Sequence, residues 1–241
     1  MSKVVTTTVL PDVAGGSVTL GGTGDSVVAT GNDIRANVLQ DAGGNAVFTS
    51  NGSGVLSGMN SGLTSGAMNL VTTASFTGSG DITFTVNSDY DVYIFKFYNI
   101  NPASDNTSFD MNGSTNGTDF NITKTSNTYC AQHGEGSDDV DYAYRTDKDH
   151  AQQTGYQPLG FFVGNGSDES ASGEMFLTAP SSTTFIKHFW SRVNSYSGTD
   201  YSFDSYVSGY FNTTTAITAI RFATAAGLMD GVIKMYGLSK S

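Results

Sequence analysis

Charge, cysteine and long apolar runs are all scarce in this sequence, and each scarcity removes a class of protein. Charged residues make up only 14% of the 241 residues, against about 25% in ordinary domains. Acids outnumber bases, leaving a net charge of −11. A surface of that sign repels polyanions, so nucleic acid is not expected as a partner. Cys130 is the single cysteine, which excludes an intrachain disulfide and a paired-cysteine metal site. Cysteine usage of this kind fits a cytosolic or virion origin. No window approaches the roughly 18 apolar residues of a membrane span. The opening Met1-Ser2-Lys3-Val4-Val5 carries one positive charge but no apolar run of signal-peptide length, so neither membrane insertion nor an export signal is expected.

Proline is also rare, with four residues against 29 glycines. That balance suits strands joined by tight turns. The polar surface must come from Ser, Thr, Asn and Gly rather than from charge.

Aromatic residues divide the chain. Up to Ser75 there is one, Phe48; all others follow. Aromatics supply much of the burial in a compact core, so residues 1–72 are read as an extended, Gly-rich β segment without a core of its own. Strand-like pieces recur there at Val4–Leu10, Ser17–Leu20, Ser26–Ala29 and Ala46–Thr49. Such pieces gain stability by pairing with something else: another copy in a trimeric stem, or the surface of another protein. A flexible linker is the plain alternative.

Residues 73–241 are read as an antiparallel β-sandwich or jelly roll. Ile82, Phe84 and Val86 alternate with threonines, the period of a half-buried strand. Along Val92–Tyr98, Tyr93, Phe95 and Phe97 share one face, and Val92, Ile94, Lys96 and Tyr98 the other. Both faces are heavy, which predicts a central strand covered on both sides. Further strands are predicted at Phe120–Lys124, Tyr142–Arg145, Leu159–Val163, Glu174–Thr178, Phe185–Trp190, Tyr206–Phe211, Ile217–Ala223 and Gly231–Tyr236. Strands of this number and spacing suggest a sandwich rather than a parallel α/β sheet. The best helical patch, Ala223–Met229, is short and contains Gly227.

Catalytic and metal motifs are sparse. His133, His150 and His188 lack metal-ligand spacing, and His188 is read as a structural histidine sharing a strand face with Ile186 and Trp190. Cys130 and His133 form a weak nucleophile–base candidate in an acidic loop, where carboxylates would raise the thiol pKa. Residues 135–141 hold four carboxylates, Glu135, Asp138, Asp139 and Asp141. A solvated loop is the simpler reading and Ca²⁺ binding stays open. Asp147 and Asp149 form a second, weaker cluster. Asn112-Gly113-Ser114 and Asn116-Gly117-Thr118 are read as turns, not glycosylation sites. Tyr196, Tyr201 and Tyr206, spaced by five, are candidates either for sugar or protein contact or for covering the sandwich end. No catalytic, cofactor-binding or metal residue is assigned, and the chain is read as non-enzymatic and without cofactor.

Two stretches resemble proteins of tailed-phage virions, particularly aquatic ones. One is Gly31–Asn60, with its core Asp41-Ala-Gly-Gly-Asn-Ala-Val-Phe-Thr-Ser-Asn-Gly-Ser-Gly. The other combines Ile82–Ile100 with Ala216-Ile-Thr-Ala-Ile-Arg-Phe and Gly231-Val-Ile-Lys-Met-Tyr-Gly-Leu. The resemblance implies a fibre or capsid-decoration protein whose final strand, ending in Tyr236-Gly237, closes a jelly-roll-like domain. In that strand Val232, Lys234 and Tyr236 face one way, Ile233 and Met235 the other. It further implies a homotrimer in the virion, assembled in the host cytoplasm and attached to capsid or tail proteins through residues 1–72. A tail-fibre module that recognises host surface glycan, with Tyr201 and Tyr206 in its binding loops, is the alternative.

Overall fold

The computed structural model describes residues 38–40, 45–50, 56–57, 68–137 and 139–238. The chain divides into two compact units, residues 1–64 and 65–241. The expected strands at Val4–Leu10, Ser17–Leu20 and Ser26–Ala29 lie outside the described residues.

In the first unit, β1 (Val38–Gln40), β2 (Ala46–Ser50) and β3 (Leu56–Ser57) form a three-stranded antiparallel sheet. Leu39 lies opposite Phe48. Leu39 is exposed and Phe48 half-buried, which matches a segment with one aromatic to bury.

The second unit is all-β and antiparallel. Its strands are β4 (Met68–Ser79), β5 (Asp81–Thr85), β6 (Val92–Pro102), β7 (Thr107–Ser114), β8 (Lys124–Gly134), β9 (Asp141–Tyr144), β10 (Gln157–Val163), β11 (Ala171–Thr178), β12 (Lys187–Tyr196), β13 (Tyr201–Phe211), β14 (Ala219–Thr224) and β15 (Met229–Leu238). One sheet has the order β10-β7-β14-β5, the other β4-β15-β6-β11-β12-β13-β8-β9. Eight strands make four nested antiparallel pairs: β4 with β15, β5 with β14, β6 with β11, β7 with β10. Along the chain β4, β5, β6 and β7 alternate between the sheets, so one long hairpin is rolled into two layers, which is the topology of a jelly roll. The other four strands are insertions. The β8–β9 hairpin enters between β7 and β10, and β12–β13 between β11 and β14. Both extend the same sheet, to about 34 Å across at normal strand spacing.

The core is built from alternate residues. Phe95 and Phe97 of β6 meet Phe84, Phe109 and Phe222 of the smaller sheet, with ring centroids 4.9–5.5 Å apart. These edge-on contacts suit aromatic quadrupoles. Ile233 and Met235 of β15 point inward while Val232, Lys234 and Tyr236 lie on the outer face, as the closing-strand pattern implies. Gly231 takes a φ of 146° at a register shift. Gly237 lies under the Tyr90 ring, which leaves no room for a Cβ.

Several expectations need correction. β6 is central, but a second layer covers only one of its faces. Ile94 is buried by its cross-strand neighbours Phe176 and Tyr236 rather than by another sheet. The strand predicted at Phe120–Lys124 begins only at Lys124 and runs on to Gly134. β4 and β7 were not predicted. Ala223–Met229 is not helical: it is the end of β14, a turn at residues 225–228 and the start of β15, and Gly227 in the turn has a φ of 87°. Asn112 is not in a turn: it sits on β7, fully buried, donating to the carbonyls of Phe120 and Thr154 at 2.6 and 3.0 Å. Asn116 does form a turn, its Oδ1 accepting from the Thr118 and Asp119 amides.

Candidate functional site

The outer face of the eight-stranded sheet is the surface richest in recognition chemistry. Strand alternation makes it. Along β12, Lys187, Phe189, Ser191, Val193 and Ser195 are buried while His188, Trp190, Arg192 and Asn194 are exposed. β13 repeats the pattern, with Phe203, Ser205 and Val207 inside and Tyr206 and Ser208 outside.

Register then aligns the outward residues into two rows across the strands. In the first, Ile94 faces Phe176, Phe176 faces Trp190, Trp190 faces Ser208, and Ser208 faces Asn127. The rings of Phe176 and Trp190 are stacked, 5.0 Å apart and 8° from parallel. In the second row Lys96 faces Glu174 and Glu174 faces Arg192. Arg192 faces Tyr206, Tyr206 faces Tyr129, and Tyr129 faces Tyr144. The second row therefore passes from charged to aromatic at Arg192.

Lys96, Glu174 and Arg192 of the second row are engaged in ion pairs. Lys96 pairs with Glu174. The Arg192 guanidinium donates to both Asp204 oxygens, at 3.0 and 2.7 Å, and stands 5.1 Å over the Tyr206 ring. The Tyr206 hydroxyl also donates to Asp204, at 3.0 Å. Partial burial would raise the Asp204 carboxyl, but the bonds from Arg192 and Tyr206 outweigh it and hold the group below the usual carboxylate range. The same bond raises the Tyr206 hydroxyl. Paired groups of this kind orient a ligand but are poor acids or bases at neutral pH.

Three clefts open on this face. One of about 320 Å³ lies among Tyr129, Glu174, Phe176, Trp190, Arg192 and Tyr206. A second, about 420 Å³, is bounded by Asn127, His188, Trp190, Ser208 and Tyr210. The third, about 470 Å³, runs over Lys96, Tyr98, Glu174, Asn194 and Asp204. Trp190 is a wall of the first two, and Glu174 and Arg192 are shared by the first and third.

Of the three spaced tyrosines only Tyr206 lines these clefts. Tyr196 bonds Asp200 at 3.0 Å. Tyr201 packs against the core through Phe203 and reaches Asp139 at 3.2 Å. Trp190, Phe176 and Tyr129 had no distinguishing sequence signal beyond their outward strand positions.

The remaining candidates do not assemble. Cys130 and His133 lie on β8, not in a loop. Their offset of three puts Cys130 on the buried face and His133 on the outer one, and burial raises the thiol pKa. His188 is exposed on the outer face rather than buried, its ring 6.2 Å from Tyr210. His150 is held between the Asp149 and Tyr156 carbonyls at 2.9 and 3.1 Å. Asp147 pairs with Arg145 and Lys148, bonds that bring its pKa down to about 2. Among the described residues, no three His, Cys, Asp or Glu side chains gather as metal ligands. Comparison with protein-family models, curated proteins and solved structures finds no match to this chain.

Proposed function

We propose that this chain is a structural component of a phage virion surface, a capsid-decoration protein or short fibre. Residues 1–64 attach it to the particle and the jelly roll is the displayed part. The supporting observation is the division of chemistry along the chain: the buried core among the described residues lies within residues 65–241, whereas the preceding 64 contain one aromatic. A segment with a single aromatic gains stability from a partner, and strand addition supplies backbone hydrogen bonds for that purpose. The sequence resemblance points to the same class of protein.

Assembly into a trimer also belongs to the proposal. β4 ends the eight-stranded sheet and runs for 12 residues, with Met68, Leu70 and Val71 exposed on it. A long edge with exposed apolar side chains favours a covering partner. Light scattering on the full chain and on residues 65–241 tests this. A trimer in both makes the jelly roll the assembling unit. Monomers in both contradict the trimer and leave organisation to the particle beneath.

A further inference from the structure

We propose that the notch beside Trp190, on the outer face of the eight-stranded sheet, binds a neutral oligosaccharide. The proposal adds a ligand to the display role and can fail without it.

The shape of the notch comes from the first row. Phe176 and Trp190 are large, and the next two positions, Ser208 and Asn127, are small and polar. A step down therefore occurs between β12 and β13. Trp190 walls it on one side, and Tyr206 and Tyr129 stand along its upper edge. Trp190 keeps 43% of its surface exposed and Tyr206 37%. Burying so large an apolar ring elsewhere would be favourable, yet here the stack on Phe176 holds it upright at the surface. Such a ring offers a negative π face, complementary to the slightly positive C–H face of a pyranose. The Ser208 hydroxyl and the Asn127 amide on the floor offer both donors and acceptors, as sugar hydroxyls require.

Charge sets the class of sugar. Arg192 is committed to Asp204, and Lys96 to Glu174, so neither permanent cation is left over for a carboxylate or sulfate. With −11 on the whole chain, a polyanionic glycan would also meet a repulsive field. A neutral ligand with many hydroxyls has no such conflict, and fixed carboxylate and guanidinium edges at the rim can still bond it. The aromatic positions spread over β11, β12, β13 and β8, about 14 Å at normal strand spacing. That span suits a short oligosaccharide lying across the strands rather than a single ring.

Trp190 is the sole tryptophan, so its fluorescence reports on this site alone. The full chain is titrated with cellohexaose, maltohexaose, mannohexaose and xylohexaose into the millimolar range. A saturable change with at least one is expected. By calorimetry, Trp190→Ala should weaken that binding about tenfold or more, the scale of one aromatic contact. Ser208→Gln fills the floor from an exposed position without removing any wall and should do the same with an unchanged unfolding temperature. No response to any of the four, or affinity untouched by both substitutions, would overturn the proposal. So would binding confined to an anionic probe such as hexagalacturonate, lost with Arg192→Gln.

Discussion

Trp190 and Phe176 sit directly opposite one another on β12 and β11, their rings stacked 5.0 Å apart on the outer face of the larger sheet. Neither ring reaches the core. Phe176→Ala is therefore expected to cost only about 1 kcal/mol, the order of a surface aromatic pair. It should also shift Trp190 emission to longer wavelength as water reaches the freed face. An emission spectrum and a urea melt check both.

The inner aromatics should behave differently. Phe222 touches Phe84, Phe95, Phe97 and Phe109, joining both sheets. Phe222→Ala is expected to cost about 3–5 kcal/mol, whereas Tyr142→Ser, at a position exposed on edge strand β9, should stay within about 0.5 kcal/mol. Urea unfolding of the two variants measures the contrast.

Gly173 shows how closely the backbone is packed between β11 and β12. A Cβ there would run into the Arg192 carbonyl oxygen and lie 2.8 Å from the Val193 Cα. Gly173→Ala must push the strands apart and disturb the row that carries Trp190. A loss of several °C in unfolding temperature is expected, compared with little change for Gly155→Ala, where the added carbon meets open space.

Buried charges give stability a pH dependence, Asp110 in one direction and Lys124, with Lys187, in the other. Asp110 is buried, with one carboxylate oxygen unpartnered, and desolvation raises its pKa to about 6. The native state then holds the proton more tightly than the unfolded chain, so stability falls as pH rises from about 4 to 6. Lys124 is also fully buried, donating to the Gly155 carbonyl at 2.5 Å, and desolvation lowers its pKa to about 7. Here the unfolded chain holds the proton more tightly, and stability rises between about pH 7 and 10. A minimum between pH 6 and 7 is expected. Asp110→Asn should flatten the fall and stabilise the protein at pH 8, and Lys124→Met should reduce the rise, leaving the part that Lys187 contributes. Thermal melts from pH 4 to 10 reveal either the minimum or its absence.

Much of this architecture was legible from alternation alone. β5, β6, β10, β11 and β15 carry large apolar residues at every second position, and all were found within a few residues of their ends. β7 and β8 were not. On β8 the inward positions are Ser126, Thr128 and Cys130, and on β7 Asp110 and Asn112 are buried, so polarity there does not mark exposure. The candidate site was less legible still. Tyr206 stood out by spacing, but the Phe176–Trp190–Ser208–Asn127 row exists only through the register of the consecutive strands β11, β12 and β13 with one another and with β8, which lies far from them in sequence. No periodicity within one segment encodes which residue of another strand will face it.

The proposed display role is tested most directly on phage particles. Antibodies raised against residues 65–241, a fragment that keeps β4 whole where a cut at residue 72 would remove Met68–Val71, can be used for immunogold labelling of purified phage particles. Gold at regular positions on capsid or tail is expected, together with failure of the isolated 65–241 fragment to bind particles lacking the protein while the full chain restores them. Unlabelled particles, or a fragment that attaches as well as the full chain, would contradict a displayed jelly roll anchored by its N-terminal segment.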